Sequence, residues 1–201
     1  MRSADAATSA TKTSERARRE ERMSLPRHPS VELVSSRTLH HGRIFDIVHE
    51  VLRLPSGLMQ ELDIVDHGGA VGVAALDRAG RLLLVRQYRH AAGDWLVEIP
   101  AGRVEAGEAR LAAAQRELEE ETGQRAGRWE LLREFFPAPG FCSERISVWL
   151  AQDLEPVVRE RKAMDADEEL ECVWLTPAEV LAHSSDAKSL IAAALILARG
   201  G

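Results

Sequence analysis

The sequence predicts a mixed α/β protein with a small β meander at its N-terminus, and three observations carry that prediction. Residues 109–122 form an unbroken run of helix formers bounded by Gly107 and Gly123. Ala70–Leu76 is entirely apolar and is followed by the turn signal Asp77-Arg78-Ala79-Gly80 and a second β-rich run. Between Val31 and Asp66, short β-branched and aliphatic segments alternate with turn residues. Helix period and strand period therefore both occur in one 201-residue chain, enough for one compact domain with a sizeable core.

Residues 1–29 are rich in Ala, Ser, Thr, Arg and Glu and lack periodic apolar positions, so a disordered tail is expected. There is no apolar h-region, and Asp5, Glu15, Glu20 and Glu21 argue against an organellar leader. Met23 is an alternative start. Residues 30–66 read as an N-terminal β subdomain, with strands at Val31–Val34, Phe45–Val48, Glu50–Leu54 and Met59–Val65 around the turn Pro55-Ser56-Gly57. Residues 67–201 read as the main domain. Its first hairpin joins Ala70–Leu76 to Arg81–Tyr88 and ends in Arg86-Gln87-Tyr88-Arg89. Guanidinium forks match phosphate oxygens, although two arginines at a strand end are also ordinary solvated charges.

Trp95–Ile99 reads as an apolar strand turning at Pro100-Ala101-Gly102, where a proline and a glycine allow a tight corner. The helix that follows uses Ala, Leu, Glu and Arg, with Leu111, Ala114 and Leu118 as its buried stripe and Gly123 as a left-handed cap. Glu117, Glu120 and Glu121 stand at i, i+3 and i+4, so their carboxylates share one face. Like charges so placed repel, and a hard cation such as Mg²⁺ relieves the repulsion; a solvated acidic face is the blander alternative.

Beyond the helix, a strand is expected over Trp129–Phe136, then a stiff loop Pro137-Ala138-Pro139-Gly140-Phe141, then a strand over Ile146–Ala151. The acidic run Asp165–Glu171 precedes a short strand Cys172–Leu175. Thr176-Pro177-Ala178-Glu179 has the cap, proline and glutamate of a helix start, and Asp186–Ala198 is a last apolar helix read as packing. Trp95, Trp129, Phe45 and Phe141 are the aromatic candidates for stacking on a base, with core burial expected for most.

A formal charge of −6 argues against bulk nucleic-acid binding, and no apolar run reaches membrane-spanning length. Cys142 and Cys172 lack metal-ligand spacing and are expected to be buried thiols of a reducing, cytoplasmic compartment.

The helix and its preceding loop together read Gly-x5-Glu-x7-Arg-Glu-Leu-x-Glu-Glu-x-Gly, over Gly102, Glu108, Arg116, Glu117, Leu118, Glu120, Glu121 and Gly123. This resembles the signature box of the Nudix hydrolases at every fixed position; Gln124 departs from the family's apolar preference and is read as a packing variation. The resemblance implies a Nudix-type α/β/α sandwich with a mixed sheet. It also implies metal ligation by Glu117, Glu120, Glu121 and the carbonyl of Ala101, with Mg²⁺ as the cation and Mn²⁺ as a possible substitute. Gly102, Glu108, Arg116 and Gly123 would support those ligands.

The Arg-Gln-Tyr-Arg run, the Pro-x-Pro-Gly-Phe loop and the N-terminal strands resemble the ADP-ribose pyrophosphatase branch in particular. That likeness implies a homodimer joined through the N-terminal strands and hydrolysis of ADP-ribose to AMP and ribose 5-phosphate. Arg86, Arg89, Glu98 and Pro139 would then contact substrate, Glu98 being equally readable as an ion-paired carboxylate. Glu120 and Glu168 would be the catalytic carboxylates, with Asp167 and Glu169 as rivals to Glu168 for the base. Another nucleotide sugar such as GDP-mannose, or a non-catalytic ADP-ribose sensor, are the alternative readings.

Overall fold

A computed structural model of the chain describes residues 25–157 and 170–200. The first three strands, β1 (Glu32–His41), β2 (Phe45–Arg53) and β3 (Met59–His67), form a sheet in the order β1-β2-β3. The expected segments Phe45–Val48 and Glu50–Leu54 are one strand, and β1 runs on through the polar stretch Ser35–His41. Backbone pairing carries those polar residues, whose side chains are mostly exposed and so give no apolar alternation. His49, the residue that interrupts the apolar pattern of β2, bonds Asp63 on β3 at 2.8 Å. The described residues fall into two compact units: the chain up to Ser36 with Glu50–Glu61, and Arg37–His49 with the chain from Leu62 on.

The second unit holds a seven-stranded sheet. Its strands are β4 (Ala70–Leu76), β5 (Leu82–Arg89), β6 (Asp94–Glu98), β7 (Ala101–Arg103), β8 (Gln124–Phe135), β9 (Ile146–Pro156) and β10 (Glu171–Leu175). The main order is β10-β5-β4-β9-β8, with β6 paired to β5 and β7 to β4. β4 runs parallel to β9 and antiparallel to β5 and β7, which makes the sheet mixed.

Side chains alternate across a strand, and here each face of the sheet has its own apolar cluster. On one face Val71, Val73, Ala75, Leu83 and Ala151 meet Ala113, Ala114 and Leu118 of helix α1 (Arg110–Thr122). On the other, Ala70, Ala74, Leu82, Leu84, Val148 and Leu150 meet Val180 of α2 (Pro177–His183) and Ala192 and Ala193 of α3 (Ala187–Leu197). Helices on both faces of one mixed sheet make the expected α/β/α sandwich.

The helix ends follow their sequences. Gly123 caps α1 at φ 67°, its N–H donating to the Glu119 carbonyl at 2.9 Å. α2 begins in a reciprocal box, with Glu179 N–H donating to the Thr176 hydroxyl and Thr176 N–H to the Glu179 carboxylate. The buried stripe of α1 includes Ala113, and Leu111 is only half-buried. β8 begins five residues before its expected start and β9 ends five residues beyond its expected end, because their polar ends pair in register from Gln124↔Pro156 onward. Both cysteines are free thiols, but Cys172 is exposed and Cys142 half-buried, contrary to the expectation of burial. Cys172 lies on the edge strand β10, where its thiol stands 4.0 Å from the Glu121 carbonyl. Among the described residues no helix is long and apolar enough to cross a membrane.

Candidate active site

The site is assembled where β7 meets α1. Glu121, 8% exposed, accepts the Ala101 N–H at 3.1 Å, so the last turns of α1 are tied to the strand that carries Ala101. A Cβ built on Gly102 would meet the Glu117 carboxylate at 2.0 Å. Only glycine leaves room for that carboxylate against the backbone.

Arg116 knits the remaining groups together. Its guanidinium donates to Glu108 through Nε and Nη2 at 3.0 Å each, to Glu117 at 2.6 Å, to Glu120 at 3.1 Å and to the Arg103 carbonyl at 2.9 Å. The bond from Arg116 draws the Glu108 carboxyl below its ordinary range. Burial pushes the Glu117 carboxyl above it, with Arg116 opposing. Glu108 and the other carboxylates in turn push the Arg116 guanidinium up, so it stays charged. The support expected of Arg116 and Glu108 is thus a set of direct hydrogen bonds.

A cleft of about 1150 Å³ opens on these groups, and Ala101, Glu117, Glu120 and Glu121 lie on its wall. Three carboxylates and a carbonyl supply hard oxygen donors of the kind divalent cations prefer, and the space kept by Gly102 suits a carboxylate turned to the backbone. Among the described residues no three such groups already converge as a closed cage. Arg116 bonds Oε1 of Glu117 and Oε2 of Glu120, and the Ala101 amide bonds Oε2 of Glu121, so the carboxylates that would hold a cation are already oriented.

The other expected residues divide. Arg89 lines the cleft, but Arg86 does not: it pairs with Glu171 at 3.5 Å and lies 5.0 Å over the Trp95 ring. Arg86 and Arg89 stand three apart on β5 and so on opposite faces; Tyr88, on the Arg86 face, and Trp95 beneath Arg86 both line the cleft. Glu98 is 2% exposed and its carboxylate is taken by Arg89 and Lys188, which is the ion-paired alternative rather than a substrate-facing one. In the stiff loop, Pro137 lines the cleft while Pro139 points to solvent. Trp95 is 38% exposed at the cleft and not part of the core; Trp129 packs on the α1-side cluster. Asp167, Glu168 and Glu169 lie outside the described residues.

Lys188, Asp186, His67 and Glu144 also line the cleft and were not expected there. The N-cap position of Asp186 could have been read from Asp-x-x-Ser, since Asp186 accepts from Ser189 N–H. Nothing local marks Lys188, whose partner Glu98 is ninety residues away.

Comparison with known proteins agrees with this geometry. The family model described as NUDIX domain matches residues 66–194. The chain is 36% identical over 148 residues to an ADP-ribose pyrophosphatase of Bacillus subtilis (strain 168), covering 74% of this chain and 80% of that protein. It is 43% identical over 129 residues to an ADP-ribose pyrophosphatase of Mycobacterium tuberculosis, covering 64% and 62% respectively. A methanol dehydrogenase activator of Bacillus methanolicus is 35% identical over 165 residues, covering 79% and 88%. A solved structure of an ADP compounds hydrolase superposes with a TM-score of 0.72 over 87% of this chain and 96% of that one; at 22% identity this shows the fold.

Proposed function

This chain belongs to the NUDIX domain family, and from that premise we propose that it hydrolyses the diphosphate bond of ADP-ribose to AMP and ribose 5-phosphate. The observation that carries the reading is the placement of Glu117, Glu120 and Glu121 on one cleft wall, tied to Ala101 and Gly102. Similarity to two ADP-ribose pyrophosphatases supports that substrate over other diphosphates.

The family works with divalent cations, and for this chain we propose Mg²⁺, with Mn²⁺ as a substitute, held by Glu117, Glu120, Glu121 and the Ala101 carbonyl. When bound, such a cation neutralises the diphosphate and makes an attacking water more acidic. Arg116 keeps the carboxylates aligned, and Arg89 holds the diphosphate in line. The proton acceptor we propose is Glu168, with Asp167 and Glu169 as rivals, from their place just before β10. A cytoplasmic homodimer completes the proposal; exposed Val34 on β1, Met59 on β3 and Leu58 just before β3 support the association.

The test is a panel of ADP-ribose, GDP-mannose, NADH and nucleoside triphosphates incubated with the protein and Mg²⁺. ADP-ribose should lead by a wide margin; a different leading diphosphate would replace the substrate, and binding without turnover would replace the reaction by sensing.

A further inference from the structure

Glu98 is almost wholly buried, and an ionised carboxylate so placed is costly unless it is paired and hydrogen-bonded. Arg89, at the end of β5, supplies that pairing by itself: Nε and Nη2 donate to the two carboxylate oxygens at 2.8 and 2.9 Å. Lys188, from the first turn of α3, donates to the same carboxylate through Nζ. Burial pushes the Glu98 carboxyl up, but the Arg89 bonds and the Lys188 charge outweigh it and hold the group below its ordinary range. One carboxylate thus gathers two cations from two separate elements.

We propose that Lys188 is a second substrate-holding cation of the cleft, and that Glu98 is the positioning residue that fixes both Lys188 and Arg89 there. The proposal rests on the diphosphate-hydrolase reading above. Lys188 and Arg89 both lie on the cleft wall, while Glu98 does not. An ammonium has three donors; one is given to Glu98, and Asp186 stands beside it as an ion-pair partner at 3.0 Å. With Lys188 on the cleft wall, its remaining donor capacity would serve a phosphate oxygen. The other Asp186 oxygen is committed to Ser189, accepting from its N–H at 3.0 Å and its hydroxyl at 2.5 Å.

The lysine is held with unusual firmness. Ser189, fully buried, accepts the Ile99 N–H at 2.8 Å, which fastens the first turn of α3 to the residue next to Glu98. The Lys188 side chain is only 11% exposed. Ordering a lysine normally costs rotamer entropy at the moment of binding; here that entropy is already lost on folding, so the charge is preorganised for an anion.

A lysine that merely neutralised Glu98 would affect stability, whereas a substrate-holding lysine affects KM and the salt dependence of kcat/KM. The experiment compares wild type, Lys188→Met and Lys188→Arg for kcat and KM with ADP-ribose and Mg²⁺ across KCl concentrations, with melting temperatures alongside. Lys188→Met should raise KM about tenfold or more, the loss of one charged hydrogen bond, with kcat changed less than about threefold. It should also flatten the salt slope, and Lys188→Arg should recover most of the KM. Should Lys188→Met lose the fold, Lys188→Gln carries the same test, keeping hydrogen-bond donors without the charge. An unchanged KM and salt slope would overturn the proposal, whatever happens to melting. A wild type that cleaves no diphosphate would overturn the parent reading and this one with it, which separates the two failures.

Discussion

Gly102 and Glu117 occupy one space: a Cβ on the glycine would stand 2.0 Å from Oε1 of the glutamate and 2.1 Å from its Cδ. The clash is with the end of a flexible side chain, and the backbone of Gly102 is not left-handed, so alanine fits the fold if Glu117 swings away. Gly102→Ala should therefore melt within a few degrees of wild type, a change of about 1 kcal/mol or less. Its kcat should fall by about tenfold or more, since each factor of ten needs only about 1.4 kcal/mol of lost transition-state stabilisation. Steady-state kinetics and a thermal melt on one preparation check both halves.

Glu120 and Glu121 give a second separation of fold from chemistry. The Glu120 side chain is 39% exposed, and Gln at 121 keeps an oxygen for the Ala101 N–H. Glu120→Gln and Glu121→Gln should both fold, while turnover drops by about 100-fold or more through weakened metal ligation. Mn²⁺ titration should show the loss as weaker cation binding.

The acid behaviour of Glu98 follows from its lowered pKa. Its folded carboxyl ionises below the ordinary 4.5, so the group's stabilisation is complete above that value and is lost as pH falls through the lower folded pKa. Between the ordinary value and that lower one, wild type should lose stability with falling pH more steeply than Glu98→Gln. Urea unfolding at a series of acid pH values measures the difference.

Leu118 anchors α1 in the core with no exposed surface, beside Ala114 and against β4. Leu118→Ala should cost about 2–5 kcal/mol by lost burial and a residual cavity. Denaturant unfolding checks it.

Much of this was legible in the sequence because the information is local. The spacing of Glu117, Glu120 and Glu121 fixes one helix face, Gly123 fixes the helix end, and Thr176 with Glu179 fixes the start of α2. The pairing of Glu98 with Lys188 was not legible, since tertiary packing alone brings together residues so far apart in sequence. The polar ends of β1, β8 and β9 escaped for a different reason: they are held by backbone ladders and carry no apolar period. Arg86 is the instructive case. A strand period of two places it on the face opposite Arg89, whereas its contact with Trp95, a residue of the cleft wall, comes from tertiary packing that the local pattern does not carry.

The most direct measurement follows ADP-ribose by ³¹P NMR during incubation with the purified protein and Mg²⁺, with and without excess EDTA. The glutamate-cluster account predicts conversion of the diphosphate signals into those of AMP and ribose 5-phosphate, abolished by EDTA and restored by added Mg²⁺. Cleavage that persists in EDTA, or none in Mg²⁺ or Mn²⁺, would contradict it.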